Sequence, residues 1–330
     1  MAQPTDAMST RSGQPTADAA REPAGVALAE RRASGSGVWR RFRRHRLALV
    51  GTTILVVLTI GAVGAPVIAK HGPYSIDLSA YRLGPSANHP LGTDSAGRDV
   101  FSRLLFAGRV SLSVGLVAVS IYTAIGVLLG ALAGFYGGWV DSVVMRLADV
   151  FLSFPTLIII ITMASVLGPS IYNVMLAIGL LGWPPIARLL RGDLLSLRER
   201  EFILGARAAG VGNARLIFRH LLPNALAPVL VAATFGIAYA ILIEAGLSFL
   251  GLGVQPPTPS WGNMLTDAQS ITVLESMPWL WIPPGIMIAL AVLSINFIGD
   301  GLRDALAPYL HHRQRAATRQ RTSLAVGQAS

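Results

Sequence analysis

Hydrophobic and polar residues are sorted along this chain into long blocks rather than alternated. Residues 47–69 form 23 consecutive positions without a formal charge. A helix needs about 20 predominantly apolar residues to cross the hydrocarbon core, so this block predicts a first membrane span. The run WRRFRRHR at 39–46 directly before it suits the headgroup layer. Further blocks predict spans at about 110–135, 143–167, 171–190, 225–250 and 280–298. The third and fourth come from one apolar run too long for a single crossing, divided at Gly168-Pro169. Backbone polar groups in lipid need internal partners, so every span must be a helix. The expected fold is an all-α integral membrane protein with about six transmembrane helices. A six-span domain at 38–310 is flanked by a disordered tail at 1–37 and a basic tail at 311–330.

Composition agrees with that reading. Only 13% of residues are charged, against about 25% in soluble domains. The formal charge of +10 could suggest nucleic-acid binding, but the arginines sit between and beyond apolar blocks, where topology signals belong. With the N-terminus inside, 22 of the 27 cationic side chains fall on the cytoplasmic side. The expectation is a multi-pass protein of the cell (inner or plasma) membrane with both termini cytoplasmic, contacting lipid and no nucleic acid. Absence of cysteine excludes disulfides, thiolate metal sites and cysteine nucleophiles. Lys70 is the sole lysine and ends the first span. A P-loop needs a lysine within G-x-x-x-x-G-K-[ST], so any ATP that drives this protein is hydrolysed by another chain. The chain itself is expected to be non-catalytic and to carry no cofactor or metal.

Between the fourth and fifth spans lies REREFILGARAAGVGNARLIFRHLLPN, at 198–224. Residues 201–209 are good helix formers; Gly210 and Gly212 permit a sharp break. Asn213 can cap a second short helix at 214–222, which Pro223 is expected to end. A basic helix–glycine–helix of this kind fits a partner's groove or an anionic lipid surface. Periodicity leaves both open.

These residues carry a resemblance. The loop resembles the coupling loop of ABC importer permeases, whose pattern is Glu-Ala-Ala-x-x-x-Gly with Ile-x-Leu-Pro further on. Aligned on Gly210 and Pro223, the chain keeps Ala206, Gly210, Leu222 and Pro223, whereas Leu204 replaces the Glu, Gly205 the first Ala, and His220 the Ile. Three further stretches, HPLGTDSAGRDVFSRLLFAGRVSL at 89–112, LIEAGLSFLGLGVQPPTPSWGNML at 242–265 and INFIGDGLRDALAP at 295–308, narrow the likeness. Together they resemble the second permease subunit of the dipeptide/oligopeptide/nickel ABC importers. The resemblance implies a sister permease, two ATPase subunits holding ATP and Mg, and an extracytoplasmic substrate-binding protein. On that analogy Ala206, Arg207, Ala208, Ala209, Gly210, Leu222 and Pro223 form the ATPase-coupling site. The implied cargo is di- or oligopeptide; a nickel or other small-solute importer is the alternative.

Glu244 stands inside the fifth span, where a charge costs about 2.5 kcal/mol or more. It either lines a pathway or subunit interface, or lies near the outer end and reaches headgroups or pairs locally. Residues 93–109 hold Asp94, Arg98, Asp99, Arg103 and Arg109. They predict an interfacial helix in which Arg98 or Asp99 neighbours Arg103. Gly126, Gly130 and Gly134 allow close helix packing, inside the chain or against a sister permease. Pro256, Pro257, Pro259 and Trp261 make a stiff outside loop suited to a span connection or to a binding protein. His311 and His312 are too few for a metal site. An ion-coupled secondary transporter would carry several intramembrane polar sites, and only Glu244 qualifies.

Overall fold

The computed structural model describes residues 37–327, with side chains described through residue 306. The side chains of His311 and His312, and most of the N-terminal tail, lie outside that range. The described residues form helices and no strand. Helix α1 is Arg46–Val63, continued by a short turn at Ala65–Ile68. Helix α2 is Val100–Tyr136, followed by α3 at Gly138–Leu152, α4 at Thr156–Leu167, α5 at Ile171–Leu181 and α6 at Trp183–Arg198. Helix α7 is Glu201–Ala208 and α8 is Leu222–Phe249. Short helices α9, Trp261–Met264, and α10, Ile271–Ser276, precede α11, Pro278–Gly327.

Five helical stretches are long and apolar enough to cross a membrane, and the α3–α4 pair adds a sixth if its 79° bend is one broken span. The chain is thus a multi-pass membrane protein. The span expected at about 143–167 is divided by this bend between α3 and α4. Pro155 disfavours helical backbone at Phe154, and α3 ends in a cap at Ser153. Gly168, with φ +83, makes the expected break before α5. The fourth span is also jointed, at Gly182, and runs on to Arg198 as α6. Helix α11 continues past residue 311, where a separate tail was expected.

Helix α2 is the central element, packing along α6 and against α8, α5 and α1. Its glycine stripe faces inward. A Cβ on Gly126 would lie 2.6 Å from Ile186 Cβ, one on Gly130 2.6 Å from the Ala187 carbonyl oxygen, and one on Gly134 2.7 Å from Leu194 Cβ. The stripe therefore seats α6, the first of the two uses open to it. Leu190, Leu194, Ile160, Val114 and Val229 fill the same core. Large apolar residues on outer faces, such as Val57, Leu128 and Val166, remain exposed. These faces suit lipid.

Candidate coupling loop and the opposite cap

The loop between α6 and α8 starts from a fixed base. Arg191 donates to both oxygens of Asp141 at 2.5 Å, and Arg188 pairs with Asp149, fastening α6 to α3. Helix α7 then buries only Ile203. Its end is a Schellman-type cap. Gly210 N–H donates to the Arg207 carbonyl at 3.0 Å and Val211 N–H to the Ala206 carbonyl at 3.1 Å. Gly210 stands at φ +79, the left-handed geometry this cap requires. Val211 and Ala206 pack on the core below it.

The second half of the loop departs from expectation. Gly212, not Asn213, is the cap residue of the turn Asn213–Arg215. Pro223 does not end a helix either. Residues Leu216–Leu221 form a π-helical turn that runs directly into α8, with Pro223 in its first turn. Proline there removes one backbone donor and crowds the carbonyl four residues back. The wider turn accommodates the ring, and Asn224 Nδ2 donates to the His220 carbonyl at 2.6 Å. Loop and fifth span are thus one continuous rod, anchored by buried Leu216, Ile217 and Leu221.

Of the residues assigned to coupling, Arg207, Ala208, Ala209, Gly210 and Pro223 are exposed, Ala206 is half-buried and Leu222 is buried. The Arg207 guanidinium lies 5.8 Å from the Phe135 ring centroid at the end of α2. Motif matching missed the apolar part of the surface. Phe202, Leu204 and Phe218 are 47%, 51% and 69% exposed, interleaved with exposed Arg215 and Arg219. The available signal was Phe202 and Leu204 flanking the buried Ile203: on a short helix they cannot all share one face.

At the far end of α8 the segments 64–99 and 250–277 meet over the ends of α1 and α2. We call 250–277 the cap. The expected interfacial helix at 93–109 is instead a turn followed by α2. Asp99 caps α2, accepting from Ser102 N–H at 2.7 Å and its hydroxyl at 2.6 Å. Asp94, rather than Asp99, pairs with the arginines: Arg98 Nε at 2.7 Å and Arg103 Nε at 3.4 Å. Buried Arg103 also donates to the carbonyls of Pro73 at 3.0 Å and Pro257 at 3.4 Å, tying both segments together. The cap itself is closely bonded. Ser260 and Asn263 form a reciprocal capping box, and Asn263 Nδ2 donates to the carbonyls of Val254 and Thr258. Asp94, Arg98, Arg103 and Asp267 share a cavity of about 280 Å³. Burial, with Asp94 nearby, raises the Asp267 carboxyl above its ordinary value.

Glu244 is fully buried near the cap end of α8. Its Oε2 accepts from the Ser111 hydroxyl of α2 at 2.9 Å, and its Oε1 from the Ser248 hydroxyl at 2.7 Å. Near the start of α2, His71, His89 and Asp99 bring ligand atoms within 4.8 Å of one another. Asp99 is already engaged by Ser102 and by His89 Nδ1 at 3.0 Å, and the two imidazoles stack at 4.8 Å with planes 28° apart. Within this cluster Asp99 serves as the cap of α2, and His71 Nε2 lies 3.2 Å from the Asn88 carbonyl oxygen.

Residues 126–312, which include the whole loop, the rod and the cap, match the family of binding-protein-dependent transport system inner membrane components. The chain belongs to this family. Residues 35–90 match the N-terminal transmembrane domain of oligopeptide transport permease C. A protein of Brucella suis named as a peptide permease is 47% identical over 81% of this chain and 89% of its own. The dipeptide transport system permease protein DppC of Alkalihalophilus pseudofirmus is 44% identical over 82% and 88%. The glutathione transport system permease protein GsiD of Pectobacterium atrosepticum is 40% identical over 82% and 90%. A solved MetNI methionine ABC transporter chain in an inward facing conformation gives a TM-score of 0.48 at 18% identity, covering 62% of this chain and 96% of that one. The family match and these curated relatives make the chain the permease component of an ABC importer.

Proposed function

We propose that this permease forms half of the translocation pathway for di- or oligopeptides and is driven by separate ATPase subunits docked on residues 199–224. The observation that carries the reading is the loop itself. A left-handed cap at Gly210 presents Phe202, Leu204, Arg207 and Phe218 to solvent at the foot of a continuous helical rod. Apolar side chains exposed beside arginines are a common composition of a protein docking surface. The peptide cargo is supported by the names of the relatives. Family membership supports a sister permease, ATPases holding ATP and Mg, and an extracytoplasmic binding protein. The distribution of arginines favours a cytoplasmic loop, both termini cytoplasmic and the cap outside. With no P-loop lysine available, this chain contributes motion rather than catalysis.

The test is uptake by right-side-out or reconstituted vesicles holding the whole transporter, with ATP enclosed and binding protein outside. Labelled dipeptide should accumulate with ATP and binding protein, and should be indifferent to ionophores that collapse ion gradients. Uptake that needs a gradient and ignores ATP would show a secondary transporter instead.

A further inference from the structure

We propose that Glu244 is a positioning residue that fastens the cap to the rod rising from the coupling loop, so that motion of the loop is delivered to the cap. The inference rests on the reading above for the source of that motion, but the fastening is a property of this chain alone.

Position is the first argument. Glu244 lies 22 residues along α8 from Leu222, roughly 33 Å at 1.5 Å per residue. It therefore sits at the opposite end of the element that begins in the loop. Connectivity is the second. The Ser111 hydroxyl, which donates to Glu244, itself accepts from the backbone N–H of Trp261 at 3.2 Å. The Ser248 hydroxyl, which donates to the other carboxyl oxygen, accepts from the backbone N–H of Val254 at 3.0 Å. Trp261 and Val254 both belong to the cap. One carboxyl thus gathers α2, α8 and two points of the cap through two serine relays. Fit is the third argument. A Cβ on Gly262 would fall 2.5 Å from Ala245 Cα, so α9 rests on α8 beside Glu244 without slack. The Trp261 indole donates to the Leu104 carbonyl of α2 at 3.1 Å.

The chemistry suits a joint that transmits and can also release. Apolar packing alone would hold the helices together, and a buried polar group in its place adds directional specificity only when its partners are complete. Here the partners are hydroxyls rather than a cation. Exchanging hydroxyl partners costs less than separating a buried ion pair.

The chain has no native cysteine. A Ser95→Cys, Asp267→Cys pair, at side chains whose oxygens lie 3.4 Å apart, therefore reports by disulfide yield whether the cap stays against the turn that leads into α2. In membranes without ATP, Glu244→Gln and Ser111→Ala should lower that yield. In the assembled transporter both should keep the ATPase subunits and basal ATP hydrolysis, while solute moved per ATP falls about tenfold, the scale set by one buried hydrogen bond. Unaltered disulfide yield with unaltered uptake per ATP in both variants overturns the proposal. If Glu244→Gln does not assemble, Ser111→Ala decides by the same two readouts, because it removes one donor and leaves the carboxyl in place. A wild-type chain that shows no ATP-driven uptake overturns the transport reading, and the disulfide yield still decides the fastening.

Discussion

The two ends of α8 are built in opposite ways. At the loop end, α7 is held by one buried side chain, its glycine cap is exposed, and large apolar residues face solvent. At the cap end, Arg103, Asp94, Glu244 and Trp261 are buried and bonded across four chain segments. A surface whose apolar groups remain uncovered is completed by something else. An end whose polar groups satisfy one another holds its own shape. On the proposal above, the one helix joining them carries contact at the first end to the second as displacement.

Substitutions can break this contrast, and the cap should suffer most. Arg103→Met leaves Asp94 and two proline carbonyls without their shared donor. Loss of one partner from a buried charged network costs about 3–5 kcal/mol. The expected result is a large fall in melting temperature in detergent and early proteolysis between residues 250 and 277. Gly210→Pro should act at the other end and differently. Proline cannot adopt φ +79 and removes the N–H bonded to Arg207, a local cost on the order of 3 kcal/mol. The weakly anchored loop absorbs that cost by local unfolding. Membrane insertion and cap protection should be unchanged, while ATPase copurification and uptake are lost.

Phe218→Ser sharpens the point, since the side chain is mostly exposed. Stability should move by less than about 0.5 kcal/mol, yet ATPase retention should drop about tenfold if Phe218 is an anchor of the interface. The smallest effect is expected from Asp267→Asn. Burial, assisted by Asp94, raises this carboxyl from 3.8. The folded cap therefore favours the protonated form. Its contribution is complete below pH 3.8 and is lost as pH rises through the elevated value. Asn should make amide-exchange protection of the cap higher at neutral pH and less dependent on pH.

Much of the fold was legible because lipid imposes length and apolarity on each span. Residues 47–69, 225–250 and 280–298 all overlap helices long enough to cross. The break at Gly168 was legible because glycine and proline stand together there. What escaped were features set by tertiary partners. Helix α2 begins ten residues earlier than its apolar block because Asp99 caps it and Arg103 finds partners in other segments. The bend at Ser153–Pro155 needed more than hydropathy. Pro223 looked like a terminator because the π turn that accommodates it leaves no mark in composition. At the loop, Gly210 was readable from its motif, whereas the exposure of Phe202, Leu204 and Phe218 depends on which face Ile203 turns inward. Glu244 announced itself as a charge in a span, but its serine partners come from residues 111 and 248, and the first of these is remote in sequence.

The most direct test of the account is what the loop touches. Ala208 and Ala209 are exposed, and the absence of cysteine allows Ala208→Cys or Ala209→Cys to carry a short photoreactive probe as the single labelled site. Illumination of native membranes should join this chain to a nucleotide-hydrolysing subunit, and Phe218→Ser should suppress the product. Crosslinks to lipid alone, with no ATPase recovered, would contradict the account and make the loop a membrane-surface helix.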